Sequence, residues 1–272
     1  MFKFEDNKTY RMPAHFGGND PPAPDFTVYI RDLITLSYVC TTDEDQLANY
    51  VPAGFELLRP EIVFSFNQMR ECDWLAGGHY NTISADVPVR FTGKRDRLEG
   101  NYNLVTWENL TAPIIGGREE NGVPKIYADI QDLHASPAAY LGAPDYFTNA
   151  SYDGNTFVRM EMSNAKPLED EQLVALRAAP ITANLFGWRY IPKVNGLGAE
   201  LSQPILYPQG AEVKNAWTGS GTVTWIKQRP EQNPSQFHII NALAQLPIIE
   251  RAPVLMTKGI GFLKPSQGRV LE

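Results

Sequence analysis

Glycine and proline punctuate this chain from end to end, and that spacing limits what it can fold into. The 21 glycines and 21 prolines are scattered rather than clustered, so many short elements joined by turns are expected. Between the breaks lie segments with β-branched content or alternating polarity, at residues 27–30, 33–39, 61–66, 84–91, 103–107, 156–162 and 222–226. In one of them Val158, Met160 and Met162 alternate with Arg159 and Glu161, as a strand with one buried face requires. Helix signals are fewer. Thr42-Asp43-Glu44-Asp45 offers a polar cap and an acidic first turn for a short helix through Leu47 and Tyr50, stopped by Pro52. A second helix is expected from Asp170 through Leu173, Leu176 and Arg177, ending before Pro180. Many strands with few helices predict a mainly β fold with peripheral helices, α+β in class, arranged as a barrel. Residues 132–153, rich in Ala, Pro, Tyr and Gly, read as an irregular insertion. No internal repeat and no biased linker divides the chain, so residues 1–272 are expected to form one domain.

Composition removes several classes of function. A formal charge of −7 and a pI near 5.2 offer no basic footprint, so neither nucleic acid nor an anionic membrane is an expected partner. Cys40 and Cys72 match no disulfide or metal framework, which suits a reducing compartment. The charged N-terminus shows no secretory pattern, and no apolar run approaches the roughly 20 residues that span a bilayer, so a cytoplasmic location is expected. His15, His79, His134 and His238 form no metal-ligand spacing, and no metal is expected. Gly196-Leu197-Gly198, Gly219-Ser220-Gly221 and Gly259-Ile260-Gly261 lack phosphate-loop or dinucleotide fingerprints and read as turns, so no cofactor is expected either. The Gly-x-Ser-x-Gly elbow of serine hydrolases is absent.

What remains is a lysine. Lys125 follows Val123-Pro124 and precedes Ile126-Tyr127-Ala128, a setting suited to desolvating an amine. A neutral lysine amine adds to a ketone to give a Schiff base, which turns the substrate into an electron sink. An ordinary lysine near pKa 10.4 is free amine only about once in 2,500 molecules at pH 7, and lowering it to about 7 requires roughly 4.6 kcal/mol of destabilised ammonium. Burial alone shifts lysines by up to about 3–5 units.

Several motifs stand around Lys125 in a fixed order: Tyr10-Arg11-Met12-Pro13-Ala14-His15-Phe16-Gly17, Thr42-Asp43-Glu44-Asp45-Gln46-Leu47, Val51-Pro52-Ala53-Gly54-Phe55-Glu56, Val87-Pro88-Val89-Arg90-Phe91-Thr92-Gly93, Gly117-Arg118-Glu119 with Pro124-Lys125, then Ala216-Trp217-Thr218-Gly219 and Leu246-Pro247. Together they resemble the acetoacetate decarboxylase family over most of the chain. The resemblance implies a closed β-barrel of that family's type, a homo-oligomer, and a small keto acid as substrate. It also implies that Lys125 forms an imine with the keto acid, and that loss of carbon dioxide from this imine gives an enamine that is protonated and hydrolysed to the ketone.

The sequence departs from the family where the charge tuning lies. Family decarboxylases set a second lysine beside the nucleophile; here the neighbours are Pro124 and Ile126. Two acids of the family pocket fall, by spacing, at Ser65 and at Asn81 or Thr82. The arginine that holds the substrate carboxylate corresponds to Arg31 after a two-residue shift from Leu33. Arg118 and Glu119 match the family segment and either brace the loop carrying Lys125 or touch substrate. These departures resemble a side branch of the superfamily that uses the same imine for aldol condensation and dehydration of pyruvate with aldehydes. That route needs a base and an acid near the lysine, for which Tyr80, Glu120, Asn121 and Glu108 are candidates. Trp107, with Trp74, Phe64 and Phe66, is expected to line an apolar, aromatic cavity around the substrate, and Thr82 to contact it. A Schiff-base lyase is thus the first reading; a non-catalytic ligand-binding relative and an unrelated β-barrel enzyme are the others.

Overall fold

The computed structural model describes residues 1–136, 142–179 and 182–272. Its strands are β1 (Val28–Thr41), β2 (Phe55–Leu57), β3 (Glu61–Cys72), β4 (Gly78–Thr92), β5 (Arg97–Glu108), β6 (Lys125–Tyr127), β7 (Asp129–Ile130) and β8 (His134–Ala135). They continue as β9 (Tyr146–Tyr152), β10 (Asn155–Pro167), β11 (Thr182–Pro192), β12 (Ala199–Trp225), β13 (Glu250–Arg251), β14 (Val254–Leu263) and β15 (Arg269–Val270). Among the described residues four α-helices accompany them: α1 (Glu44–Ala48), α2 (Thr111–Glu119), α3 (Asp170–Ala178) and α4 (Phe237–Gln245). The fold is mainly β, as the punctuation implies. None of these helices is long and apolar enough to cross a membrane.

All the strands belong to one sheet, in the order β11-β5-β4-β3-β1-β14-β12-β10-β9-β7, and β11 also pairs with β12. Hydrogen-bonded neighbours therefore run in a ring from β11 through β5, β4, β3, β1, β14 and β12 back to β11. Short elements are not what glycine and proline produce here. β12 runs for 27 residues through Pro204, Pro208, Gly210, Gly219 and Gly221. It manages this by changing partners: residues 199–210 pair with β11, and residues 217–225 with β10, while β14 holds its other edge from Gln209 to Gly219.

The sequence-predicted strands fall on β1, β3, β4, β5, β10 and β12, with Thr27 and Ile226 just outside them, and the Asp43-capped helix is α1, which ends before Tyr50 and in which Asp43 accepts the backbone N–H of Gln46 at 2.8 Å. Val158, Met160 and Met162 are fully buried. The segment expected to be irregular, 132–153, instead contains β8 and β9, with β9 paired along β10; its residues 137–141 lie outside the described residues. Pro180, the expected stop after α3, also lies outside them.

The β3–β4–β5 wall separates two environments. Strand alternation sends Ile62, Phe64 and Phe66 of β3, and Ile83, Ala85, Val87 and Val89 of β4, into the apolar core. Each large side chain buried there contributes about 1.5–3 kcal/mol. The opposite face of the same wall carries Ser65, Asn67, Thr82 and Ser84 and borders a cavity.

Candidate active site

Lys125 reaches that cavity because of how β5 is edged. β4 occupies one edge of β5 along its length, so β5 pairs with two strands along the other edge. It meets β11 in parallel at Asn101 and Tyr102, then β6 in parallel at Thr106, Trp107 and Glu108. Lys125 begins β6 opposite Thr106, at this fork in the sheet. The turn between α2 and β6 is held by Gly122, whose φ of +63° suits glycine and whose carbonyl accepts the N–H of Trp188 at 2.9 Å. Val123 N–H donates back to the Gly117 carbonyl at 3.0 Å, and the Arg118 guanidinium donates to the carbonyl of Lys125 at 2.9 Å.

A single irregularity in β5 decides what faces the amine. Ala85 pairs with Val105, but Asp86 pairs with Asn103, so Leu104 is the extra residue of a β-bulge. A bulge reverses the inside–outside parity of everything beyond it. Asn101 and Asn103 face the cavity before it, and Thr106 and Glu108 after it. Trp107 is thereby turned into the core, where its indole N–H donates to Gln236 at 2.8 Å and its ring packs on Phe157 and Trp225.

Glu108 is the consequence. Only 2% of its side chain is exposed, and Lys125 Nζ lies 2.8 Å from its Oε1. Its second oxygen, Oε2, is buried and has no hydrogen-bond partner among the described residues. Burial raises the Glu108 carboxyl above its ordinary range, with the adjacent Lys125 working in the opposite direction. Tyr80 also faces the cavity; burial, and then the charge of Glu108, holds its phenol well above 10.

The cavity encloses about 880 Å³. A second acid lies in its wall: Asp86 accepts Ser84 Oγ at 2.7 Å and Asn103 Nδ2 at 2.7 Å, and Thr106 Oγ1 donates to Asn103 Oδ1 at 3.0 Å. Burial pushes the Asp86 carboxyl up to about 6, against those two donors. Sequence reasoning missed Asp86. It stands immediately before Val87-Pro88-Val89 and shares its strand parity with Thr82 and Ser84, which was the available signal.

The structure brings Lys125, Tyr80, Thr82, Glu120 and Asn121 together around the cavity, with Ser65 and Trp74. Glu120 sits at the rim, its carboxylate paired to Arg11. Asn81 faces elsewhere, binding Asp132 and the Ile130 carbonyl. Arg31 lies outside the cavity, paired with Asp73 at 2.7 and 3.1 Å. Arg118 is exposed and braces the backbone of Lys125, and Glu119 does not line the cavity. Phe64, Phe66 and Trp107 are core residues, so the wall around Lys125 is more polar than the aromatic sequence pattern implies.

The chain belongs to the acetoacetate decarboxylase (ADC) family, whose profile matches residues 11–260. An acetoacetate decarboxylase of Burkholderia ambifaria is 28% identical over 220 residues, covering 81% of this chain and 78% of its own length. The solved acetoacetate decarboxylase of Legionella pneumophila superposes with a TM-score of 0.69 at 24% identity, over 90% of this chain and 87% of its own. The enduracididine biosynthesis enzyme MppR complexed with pyruvate gives a TM-score of 0.66 at 14% identity, over 97% of both chains. At these identities the structural likeness establishes the fold, which is ADC-like.

Proposed function

We propose that this chain is a Schiff-base lyase acting on a small keto acid, with Lys125 as nucleophile and Glu108 as the group that moves protons. The observation that carries this reading is the 2.8 Å contact between Lys125 Nζ and a buried carboxyl inside a cavity large enough for substrate. The raised Glu108 carboxyl is suited to take the proton that the amine must lose before it attacks. The neutral amine then adds to the substrate carbonyl, forming a C–N bond and a carbinolamine. Protonated Glu108 gives its proton to the departing hydroxyl, which leaves as water, and the imine remains on Lys125. The closed-barrel reading of the fold rests on the ring of strand pairings, and residues 1–272 are taken as one domain on the same grounds.

Two routes lead from that imine to an enamine: loss of carbon dioxide from a β-keto acid, or loss of a proton from the adjacent carbon. The placement of Glu108 favours the second. The charged side chains lining the cavity are Asp20, Asp86, Glu108 and Glu120 against Arg11 and Lys125, and both cations already face carboxylates. On either route the substrate carboxylate meets no unpaired cation among these residues, but only the second route needs a base, and Glu108 is placed to accept the proton. The enamine carbon then attacks an aldehyde, and loss of water gives a conjugated product. Decarboxylation of a β-keto acid, the activity for which the Burkholderia relative is named, is the second reading. Retention of a cavity lysine beside a buried acid argues against a purely ligand-binding role.

Proton exchange separates the routes. With pyruvate in D2O, the wild type is expected to exchange the methyl protons, and Glu108→Gln to lose most of that exchange. Carbon dioxide release from acetoacetate without exchange of pyruvate protons would select the decarboxylase. Either activity surviving in Lys125→Ala would remove Lys125 from the mechanism.

A further inference from the structure

The cavity continues well past the amine. Thr82 pairs with Glu108 at one level of the wall, and Asp86 pairs with Asn103 four residues further along β4, about 13 Å away at 3.3 Å per residue. At about 880 Å³ it lies at the upper end of sites that hold drug-sized ligands, so a three- or four-carbon keto acid held at Lys125 leaves the Asp86 end unfilled.

That far end is polar and built. Asn103 is 2% exposed and Ser84 8%, and both point their donors at Asp86. Each Asp86 oxygen accepts one of these bonds and keeps lone-pair capacity for another. On either side of this group, Asn101 and Ser65 border the cavity, and among the described residues their side chains make no hydrogen bonds. An amide and a hydroxyl each both donate and accept, which is also what an alcohol on a ligand does. A purely cationic ligand would use Asp86 but leave the donors of Asn101 and Ser65 without partners.

The geometry points to a second subsite, formed by Ser65, Ser84, Asp86, Asn101 and Asn103, that binds the hydroxylated chain of a polyhydroxy carbonyl substrate whose reacting carbon sits at Lys125. This rests on the reading of Lys125 as the Schiff-base residue and adds the substrate class to it. Asp86 is a binding and positioning residue here; it accepts hydrogen bonds from substrate hydroxyls and takes no part in bond making. Shape alone would not distinguish a hydroxylated chain from a bare one of equal length. The polar wall does, because an apolar chain would leave Asn101, Ser65 and Asp86 desolvated without partners, and sites built to hydrogen-bond hydroxyls discriminate strongly against analogues lacking them.

Two eight-carbon probes, long enough to run from Lys125 to Asp86, test this: 3-deoxy-2-ketooctonate, hydroxylated at carbons 4 to 8, and 2-ketooctanoate, which has the same length and no hydroxyls. Binding is measured by titration calorimetry at pH 7.5 with the full chain, and adducts by borohydride reduction and peptide mapping. The wild type is expected to bind the hydroxylated probe at least tenfold more tightly. Asp86→Leu should reduce that preference at least tenfold; Asp86→Asn serves if the leucine variant does not fold, with a loss in the same direction. Equal or tighter binding of 2-ketooctanoate by the wild type, or a preference untouched by both substitutions, overturns the subsite. A hydroxyl preference without a borohydride-stable adduct on Lys125 instead overturns the role of the lysine and leaves the subsite standing.

Discussion

Gly117 leaves the space in which the Lys125 side chain lies. A β-carbon on Gly117 would come within 2.6 Å of Lys125 Cε and 2.9 Å of Nζ, and the nearest atoms it would meet all belong to that side chain. The glycine sits within α2, where alanine is intrinsically better by roughly 1 kcal/mol. The substitution Gly117→Ala should therefore leave the unfolding free energy within about 1 kcal/mol of wild type, yet push the amine away from Glu108. Misplacement of a reacting group by about 1 Å costs on the order of 100-fold, so imine formation should slow by that scale. A Gly117→Ala variant of unchanged imine rate would show that the lysine does not react from this position.

The Lys125–Glu108 pair has a stability signature as well as a kinetic one. Glu108→Gln keeps the shape and removes the proton acceptor, so imine formation should slow by roughly 10²–10⁴-fold. Lys125→Met leaves a buried carboxyl without its partner, and breaking a buried pair in this way costs about 3–5 kcal/mol. Adding Glu108→Gln to Lys125→Met should recover part of that loss, as measured by urea unfolding of the four proteins. Strict additivity of the two single changes would mean that the residues are not energetically coupled.

Ile126 is one of the two neighbours of Lys125 at which the family resemblance implies a second lysine, and the structure turns it away from the amine. Neighbouring residues of a strand face opposite sides, and Ile126, paired with Trp107, packs against the apolar core. Ile126→Lys should consequently act on folding, because it sets an ammonium in a partly buried apolar setting, and should not accelerate imine formation. A stable Ile126→Lys protein that forms the imine faster than wild type would contradict this geometry.

Asp86 makes stability depend on pH in a defined window. Its ordinary value is 3.8 and burial raises it to about 6. Between those values the folded chain holds a proton that the unfolded chain has released, so stability falls as pH rises. The contribution is fully present below about pH 4 and lost by about pH 6 to 7, on the order of 3 kcal/mol in all. The difference in unfolding free energy between wild type and Asp86→Asn, followed from pH 4 to 7, should shift against the wild type by that order. A flat difference would show that Asp86 is solvated in the folded protein.

How much of this was legible in the sequence depends on which kind of signal each element carried. The alternation of Val158, Met160 and Met162 identifies a strand because burial of one face dictates the pattern, and Asp43 marks a helix start because its side chain satisfies a free backbone donor. Lys125 and Thr82 were legible as candidates for the site, from the family motifs and their spacing. α2 was hidden by Pro113, Gly116 and Gly117, although a proline in the first turn sacrifices no helical hydrogen bond. The partner change within β12 is a tertiary event, invisible to local pattern. Most consequential was Leu104: a residue-by-residue alternation carried through β5 from Asn103 aims Trp107 into the cavity and Glu108 out of it, and the bulge inverts both. The aromatic cavity expected from Trp107 and Phe66 fails for that reason and because Phe66 has the parity of the core face.

The central claim, that Lys125 is the covalent residue, is tested most directly by borohydride trapping. The protein is incubated with pyruvate or acetoacetate, reduced, digested and mapped by mass spectrometry. The account predicts the reduced ligand's mass on one peptide containing Lys125, and no labelling of Lys125→Ala. Label on Lys193 or Lys258, or equal labelling of Lys125→Ala, would contradict it.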